Sequence, residues 1–252
     1  MKIQTKLNIV FMLCSFLFVG VILSFYITEK NGIETIFKID FKNKEEVFDR
    51  VSSLIGYSLD TYVYDYTYWD EMVDFVKFGD KTWAENNIDA SLSTYKANAA
   101  WIYGLDKNVL YRAQDLDDSF YDVLPVPKDE IGRLFGNSPF CHFFVNTPQG
   151  IMEISGATIH PSQDKERKTP ATGYFFAGRL WDGDFLKSLS KASSTSVAIV
   201  AGSTVATTEV NAKKGVMTFS RTLTGWNGIP VATLMVQTRS KIIPAVNDFS
   251  RA

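Results

Sequence analysis

From Leu7 to Tyr26 the chain is apolar almost without interruption, broken only by Asn8, Cys14, Ser15, Gly20 and Ser24. About 20 helical residues rising 1.5 Å each span roughly 30 Å, the thickness of a bilayer's hydrocarbon core. Lys2 and Lys6 precede the run, whereas Glu29 and Lys30 come only after it. By the positive-inside rule the N-terminus stays cytoplasmic and everything from about residue 28 onward is exported. The competing reading is a cleaved signal peptide, which needs a shorter apolar region followed by small residues. Phe25-Tyr26-Ile27-Thr28-Glu29 offers no such site, so an uncleaved anchor is expected.

The exported part, roughly 225 residues, is long enough for one large domain or two small ones with a proper core. Lys plus Arg total 26 against 28 Asp plus Glu, and no basic stripe recommends nucleic acid as a partner. Cys14 lies in the apolar span, so Cys141 has no partner for a disulfide and reads as a small buried apolar residue. The two histidines, His142 and His160, belong to no metal-ligand spacing. Nor is there a phosphate-cradling glycine loop, a G-x-S-x-G elbow or a zinc-protease helix. These absences argue against an enzyme and against a cofactor.

Beyond the span, Lys44 to Phe78 carries apolar residues at intervals of three and four, from Val47 and Val51 through Leu59, Tyr62 and Tyr66 to Trp69, Val73 and Val76. The period predicts one helix of about 35 residues, roughly 50 Å long, ending at Gly79-Asp80. Such a helix leaving the membrane is a stalk whose stripe buries against the domain or a second copy. A second helix is expected at about Ser91 to Ala100. From Trp101 the period changes to that of strands: a hairpin turning at Asp106-Lys107-Asn108, then strands at Phe140 to Asn146, Gly150 to Ile159 and Gly173 to Leu180. Asp118 to Phe135 is helical in pieces, cut by Pro125 and Pro127. Pro161 to Pro170 reads as an exposed loop and Asp184 to Ala192 as a short helix. Ser196 to Val200, Gly215 to Leu223 and Gly228 to Gln237 complete the strands.

The fold class is therefore α+β: an N-terminal transmembrane helix, a long stalk helix, and a PAS/Cache-like antiparallel sheet flanked by helices. The expected division is a cytoplasmic tail at 1–6, the membrane helix at 7–27 and a linker at 28–43. The sensory domain proper occupies 44–195, closing strands 196–240, and a lead-in to an absent second span 241–252.

The most distinctive stretch is Asp65-Tyr66-Thr67-Tyr68-Trp69-Asp70-Glu71-Met72-Val73-Asp74-Phe75-Val76, followed by Asn86-Asn87 and then by Trp101-Ile102-Tyr103-Gly104-Leu105-Asp106. In this order they resemble the type-four CHASE domain, a sensory extracellular domain of bacterial and archaeal receptors. The resemblance runs from about Val47 to Leu189, and Gly178-Arg179-Leu180 and the closing strand through Arg239 are similar to the family's later portion. It implies a domain between two membrane spans that passes a signal to a diguanylate cyclase or histidine kinase. No GGDEF-type motif or phosphoacceptor histidine stands in these 252 residues.

Two readings stand for each candidate residue. Tyr68 and Trp69 form a ligand wall, with Asp65 or Asp70 fixing a polar group, or they pack against the sheet. Asp65, on the apolar face, needs a partner such as a backbone amide, a Tyr or an Arg. Arg179 offers its fork to a ligand carboxylate or pairs internally with Asp65 or Glu153. Trp101, His142, Glu153 and Tyr174 complete the candidate ligand-binding set. Asp70, Glu71 and Asp74 read as a solvated acidic face rather than a metal site. The leading expectation is a membrane-anchored sensor of a small ligand, homodimeric through its stalk helix. A non-catalytic membrane-anchored partner-binding scaffold or a truncated receptor remnant, whose sheet interior would be filled, is the alternative. An exported hydrolase lacks a nucleophile–base pair.

Overall fold

The computed structural model of the chain describes residues 3–116, 119–202, 208–211 and 214–240. The expected lead-in at 241–252 and the first two residues of the expected tail lie outside them. The described chain falls into two units.

The first unit comprises the described residues among 1–46, 209–217 and 238–252. It holds the first part of helix α1 (Ile3–Tyr66), within which Asn8–Thr28 is long and apolar enough to cross a membrane and has its side chains exposed. Residues 28–43, read as the linker, are helical too. Phe37 and Phe41 meet edge-on, 4.1 Å between ring centres. Ser240 Oγ donates to Asp40 Oδ2 at 2.8 Å, and Lys44 Nζ donates to the Arg239 carbonyl at 2.8 Å.

The second unit comprises the described residues among 47–208 and 218–237. Its core is a five-stranded antiparallel sheet of order β2-β1-β5-β4-β3, built from β1 (Ala99–Gly104), β2 (Val109–Gln114), β3 (Phe140–Thr147), β4 (Gly150–Ile159) and β5 (Gly173–Leu180). Side chains alternate across it, as the pleat requires. One face, with Ile102, Ala157, Phe175 and Ala177, packs on Leu59, Tyr62, Val63 and Tyr66 of α1. The same layer contains α2 (Asp70–Phe78), α3 (Lys81–Ala84), a π turn (Glu85–Asp89) and α4 (Ala90–Tyr95). The other face, with Trp101, Met152, Ile154 and Phe176, packs on Tyr121 and Ile131 from two 3-10 turns and on Leu124 and Val126 between them. Here Gly156 and Gly178 are required: a Cβ at Gly156 would overlap the Phe176 ring, and one at Gly178 would lie 2.8 Å from Met152 Sδ and 3.0 Å from the Trp101 ring.

Helix α5 (Gly183–Ser193) leads to a second sheet of order β6-β9-β8-β7, formed by β6 (Ser196–Ala201), β7 (Thr208–Asn211), β8 (Val216–Thr224) and β9 (Pro230–Arg239). Asp182 caps α5, accepting from the Asp184 and Phe185 amides. The β7 strand has no counterpart in the sequence reading.

Two helical expectations are corrected. The single helix from Lys44 to Phe78 is broken at 67–69. Thr67 Oγ1 donates to the Val63 carbonyl at 2.7 Å, and its own carbonyl accepts from the His160 amide at 3.0 Å, which draws the chain out of the helix. Trp69 is extended (φ −93°, ψ 133°), and α2 starts afresh with Asp70 and Glu71 in its first turn. Asp65, Trp69 and Val73 therefore do not share one helical face. The expected helix at Ser91 to Ala100 stops at Tyr95, because Lys96 turns left-handed (φ 55°) and Ala99 already belongs to β1.

Candidate functional site

The helix-facing side of β3, β4 and β5 carries a polar knot. Glu153 and Arg179 are register partners on adjacent strands, both buried. Glu153 Oε2 accepts from Arg179 Nε (3.1 Å), Arg179 Nη2 (2.6 Å) and Trp181 Nε1 (3.0 Å), while Oε1 meets His142 Nε2 at 2.8 Å. Arg179 Nη1 turns the other way and donates to the Ile55 carbonyl (2.9 Å) and Ser58 Oγ (3.1 Å) of α1. An ion pair made inside the sheet thus ends on the backbone of the long helix. Of the two partners the sequence allowed Arg179, Glu153 is the one used.

Burial works against the Glu153 carboxylate. The hydrogen bond from His142, the Arg179 charge and the Trp181 N–H outweigh it and hold its pKa well below the ordinary range. Burial likewise opposes charge on His142, but its hydrogen bond to Glu153 and that carboxylate's charge prevail and raise its pKa. Across the same helix Arg221 grips Asp49 through both nitrogens, Nε to Oδ1 at 2.9 Å and Nη2 to Oδ2 at 2.8 Å.

These groups surround a cavity of about 280 Å³. Its walls are Ser52, Ser53, Gly56 and Asp60 of α1, His142, Phe144, Glu153 and Arg179 of the first sheet, Trp181 and Phe185, and Arg221, Leu223 and Leu234 of the second sheet. A wider groove of about 550 Å³ runs along α1 beside the edge strand β3 and shares Asp60 and His142 with it.

Three of the sequence candidates, His142, Glu153 and Arg179, are brought together here. The others lie elsewhere. Trp101 is buried on the opposite sheet face, its indole N–H donated to the Tyr121 carbonyl at 2.8 Å. Tyr174 stacks on Phe135. Asp65 lines the wider groove and accepts from the Tyr95 hydroxyl at 3.2 Å, the kind of partner its position demanded. Trp69 packs on Tyr66 and Trp83. Tyr68 donates to the Lys165 carbonyl, with the Arg167 guanidinium over its ring at 4.1 Å. Asp70 accepts from the Ser162 amide and hydroxyl, pinning the 161–170 loop. Cys141 is half-buried, and burial pushes its thiol up to about 12 against a weaker opposing hydrogen bond from Gly156, so it is unreactive at neutral pH. Asp49, Asp60 and Arg221 escaped the sequence reading. Each stands on a helix or strand face that reads as ordinary solvated surface, and only the tertiary fold sets them around one space.

An antiparallel sheet backed by a long helix places this fold in the PAS/Cache-like class, and Asn8–Thr28 supplies an apolar segment long enough to span a bilayer. The chain matches the CHASE4 domain over residues 57–200, more than half its length, and belongs to that family. Among solved structures, the extracellular domain of the putative histidine kinase vpHK1S-Z8 shares the fold at 10% identity, with a TM-score of 0.52 covering 84% of this chain and 98% of that one. The Vibrio cholerae histidine kinase DctB sensor domain aligns at 11% identity and TM-score 0.49 over 81% of this chain and 98% of its own. The periplasmic domain of Vibrio cholerae LuxQ aligns at 10% and 0.48, over 79% and 99%. No curated protein matches the chain.

Proposed function

We propose that this sensor binds a small ligand in the cavity between α1 and the two sheets, and that the Glu153–Arg179 pair transmits occupancy to α1. The observation that carries the reading is the double use of Arg179: one edge of its guanidinium is held by Glu153, the other by the Ile55 carbonyl and Ser58. A polar ligand beside Ser52 and Asp60 that draws on Arg179 or His142 must alter how the sheet grips the helix. Signalling requires the ligand to favour one of two helix arrangements, since equal affinity for both shifts nothing.

In this proposal the N-terminus is cytoplasmic, following Lys2 and Lys6, and the sensory domain is periplasmic or extracellular. Two copies associate through α1, where Val47 and Leu54, seven apart, are both exposed, Leu54 to 74%. The receiving module is a cytoplasmic diguanylate cyclase or histidine kinase. A membrane-anchored partner-binding scaffold is the second reading, favoured by the filled sheet face around Trp101 and Phe176.

The test is a thermal-shift screen of the full chain in lipid nanodiscs with amino acids, organic acids, amines and nucleobases. A ligand confined to the folded state adds about 2.7 kcal/mol at a hundredfold excess over its Kd. A shift abolished by Gly56→Leu, which fills the cavity, supports the sensor. A folded protein that answers to none of these classes favours the scaffold.

A further inference from the structure

The wider groove differs from the cavity in what it offers a ligand. Its α1 wall is Tyr57, Asp60, Thr61, Tyr64 and Asp65, spaced three, one, three and one, a single stripe of the helix. Tyr57 is 67% exposed and Tyr64 52%, although neighbouring residues of the same helix are sealed in the core. Tyr64 stacks on Phe140 of β3, 6.0 Å between ring centres with planes 16° apart. A space of about 550 Å³ with largely apolar walls falls within the range of small-molecule sites.

Two carboxylates, Asp60 and Asp65, line it together with one histidine, His142. Asp60 Oδ1 accepts from Ser155 Oγ at 2.7 Å and Asp65 Oδ2 from Tyr95 at 3.2 Å, both neutral donors that orient the carboxylates. Among the described residues no Lys or Arg lines the groove, and its histidine, His142, commits Nε2 to Glu153. Exposed aromatic faces beside carboxylates attract a cation twice, through the ring quadrupole and through direct charge. The protein itself uses Phe140 in this way: the Arg167 guanidinium lies 4.4 Å from its ring centre.

We infer that this groove binds a small organic ammonium ion, a primary amine or quaternary ammonium with an apolar body, its charge at Asp60 and its body against Tyr57 and Tyr64. The groove shares Asp60 with the cavity, but its aromatic residues take no part in the Glu153–Arg179 knot, so the two readings are separated by variants at Tyr57, Tyr64 and Gly56.

Calorimetry on the full chain in nanodiscs tests it with 2-phenylethylamine, choline and putrescine, against 2-phenylethanol and 3-phenylpropionate as neutral and anionic counterparts. At least one amine binds, and both counterparts bind at least tenfold more weakly. Asp60→Asn and Tyr64→Ala each weaken the amine tenfold or more. Tyr57→Ala, at a site too exposed to disturb folding, does the same. Gly56→Leu, which fills the other cavity, leaves amine binding in place. Equal binding of amine and alcohol, amine binding that survives Asp60→Asn combined with Asp65→Asn, or no binding of any amine to folded protein overturns the inference. So does a result in which Tyr57→Ala and Tyr64→Ala dissociate a dimer without changing amine affinity, since the groove is then an interface between copies.

Discussion

Glu153 on β4 and Arg179 on β5 face each other across the sheet, and the guanidinium that binds the carboxylate also binds the Ile55 carbonyl of α1. Removing one member leaves the other charged and buried, which costs about 3–5 kcal/mol. Glu153→Gln and Arg179→Met are each expected to fall in that range by guanidinium denaturation. The double variant Glu153→Leu/Arg179→Met loses less than the sum of the singles, because no orphaned charge remains.

The same knot fixes a pH response. The folded pKa of His142 is raised, so its contribution is complete below 6.5 and disappears as pH rises through the higher folded value. Glu153 is lowered, so its contribution is present above 4.5 and disappears as pH falls toward about 2. Stability from this cluster is greatest between those limits. In urea titrations at pH 3, 5.5 and 8.5, His142→Gln is expected to reduce the decline between 5.5 and 8.5. Because the His142 side chain keeps 45% of its surface exposed, solvent screening makes that effect modest.

Gly56 is a stabilising target. It lies in the interior of α1, where glycine costs about 1 kcal/mol relative to alanine. A Cβ there meets only Glu153 Oε1, at 3.6 Å, an ordinary contact. Gly56→Ala should raise unfolding stability by about 0.5–1 kcal/mol while leaving the ion pair in place, as measured by chemical denaturation.

The two tryptophans named from the sequence should separate cleanly. Trp101 is wholly buried with its N–H satisfied, so Trp101→Ala is expected to cost about 3–5 kcal/mol. Trp69 is 36% exposed and rests on Tyr66 and Trp83, so Trp69→Ala should cost about 1–2 kcal/mol. Denaturation midpoints of the two variants decide it.

What the sequence discloses follows from how local each signal is. β4 and β5 have the predicted bounds because Gly150 and Gly173 open runs of strand-forming residues that no helical period competes with. The break in the long helix was hidden. The apolar spacing continues smoothly through Tyr66, Trp69 and Val73, and what diverts the chain is a backbone hydrogen bond from His160, distant in sequence. His142, Glu153 and Arg179 were legible because polar residues inside strand patterns demand a reason. Their closure onto Ile55 and Ser58 was not, since it depends on where α1 lies against the sheet.

The glycines opposite Trp101 and Phe176 carry a consequence for how this layer can change through time. Because Gly178 has room for nothing beyond hydrogen while Met152 and Trp101 occupy the space above it, bulk at 178 is set by both. A step such as Gly178→Ala is closed until the flexible Met152 side chain gives way and a smaller ring stands at 101, and a smaller ring alone leaves a void. Lineages that reshape this face must therefore move both residues together, so substitutions at 101 and 178 should arise as a linked pair.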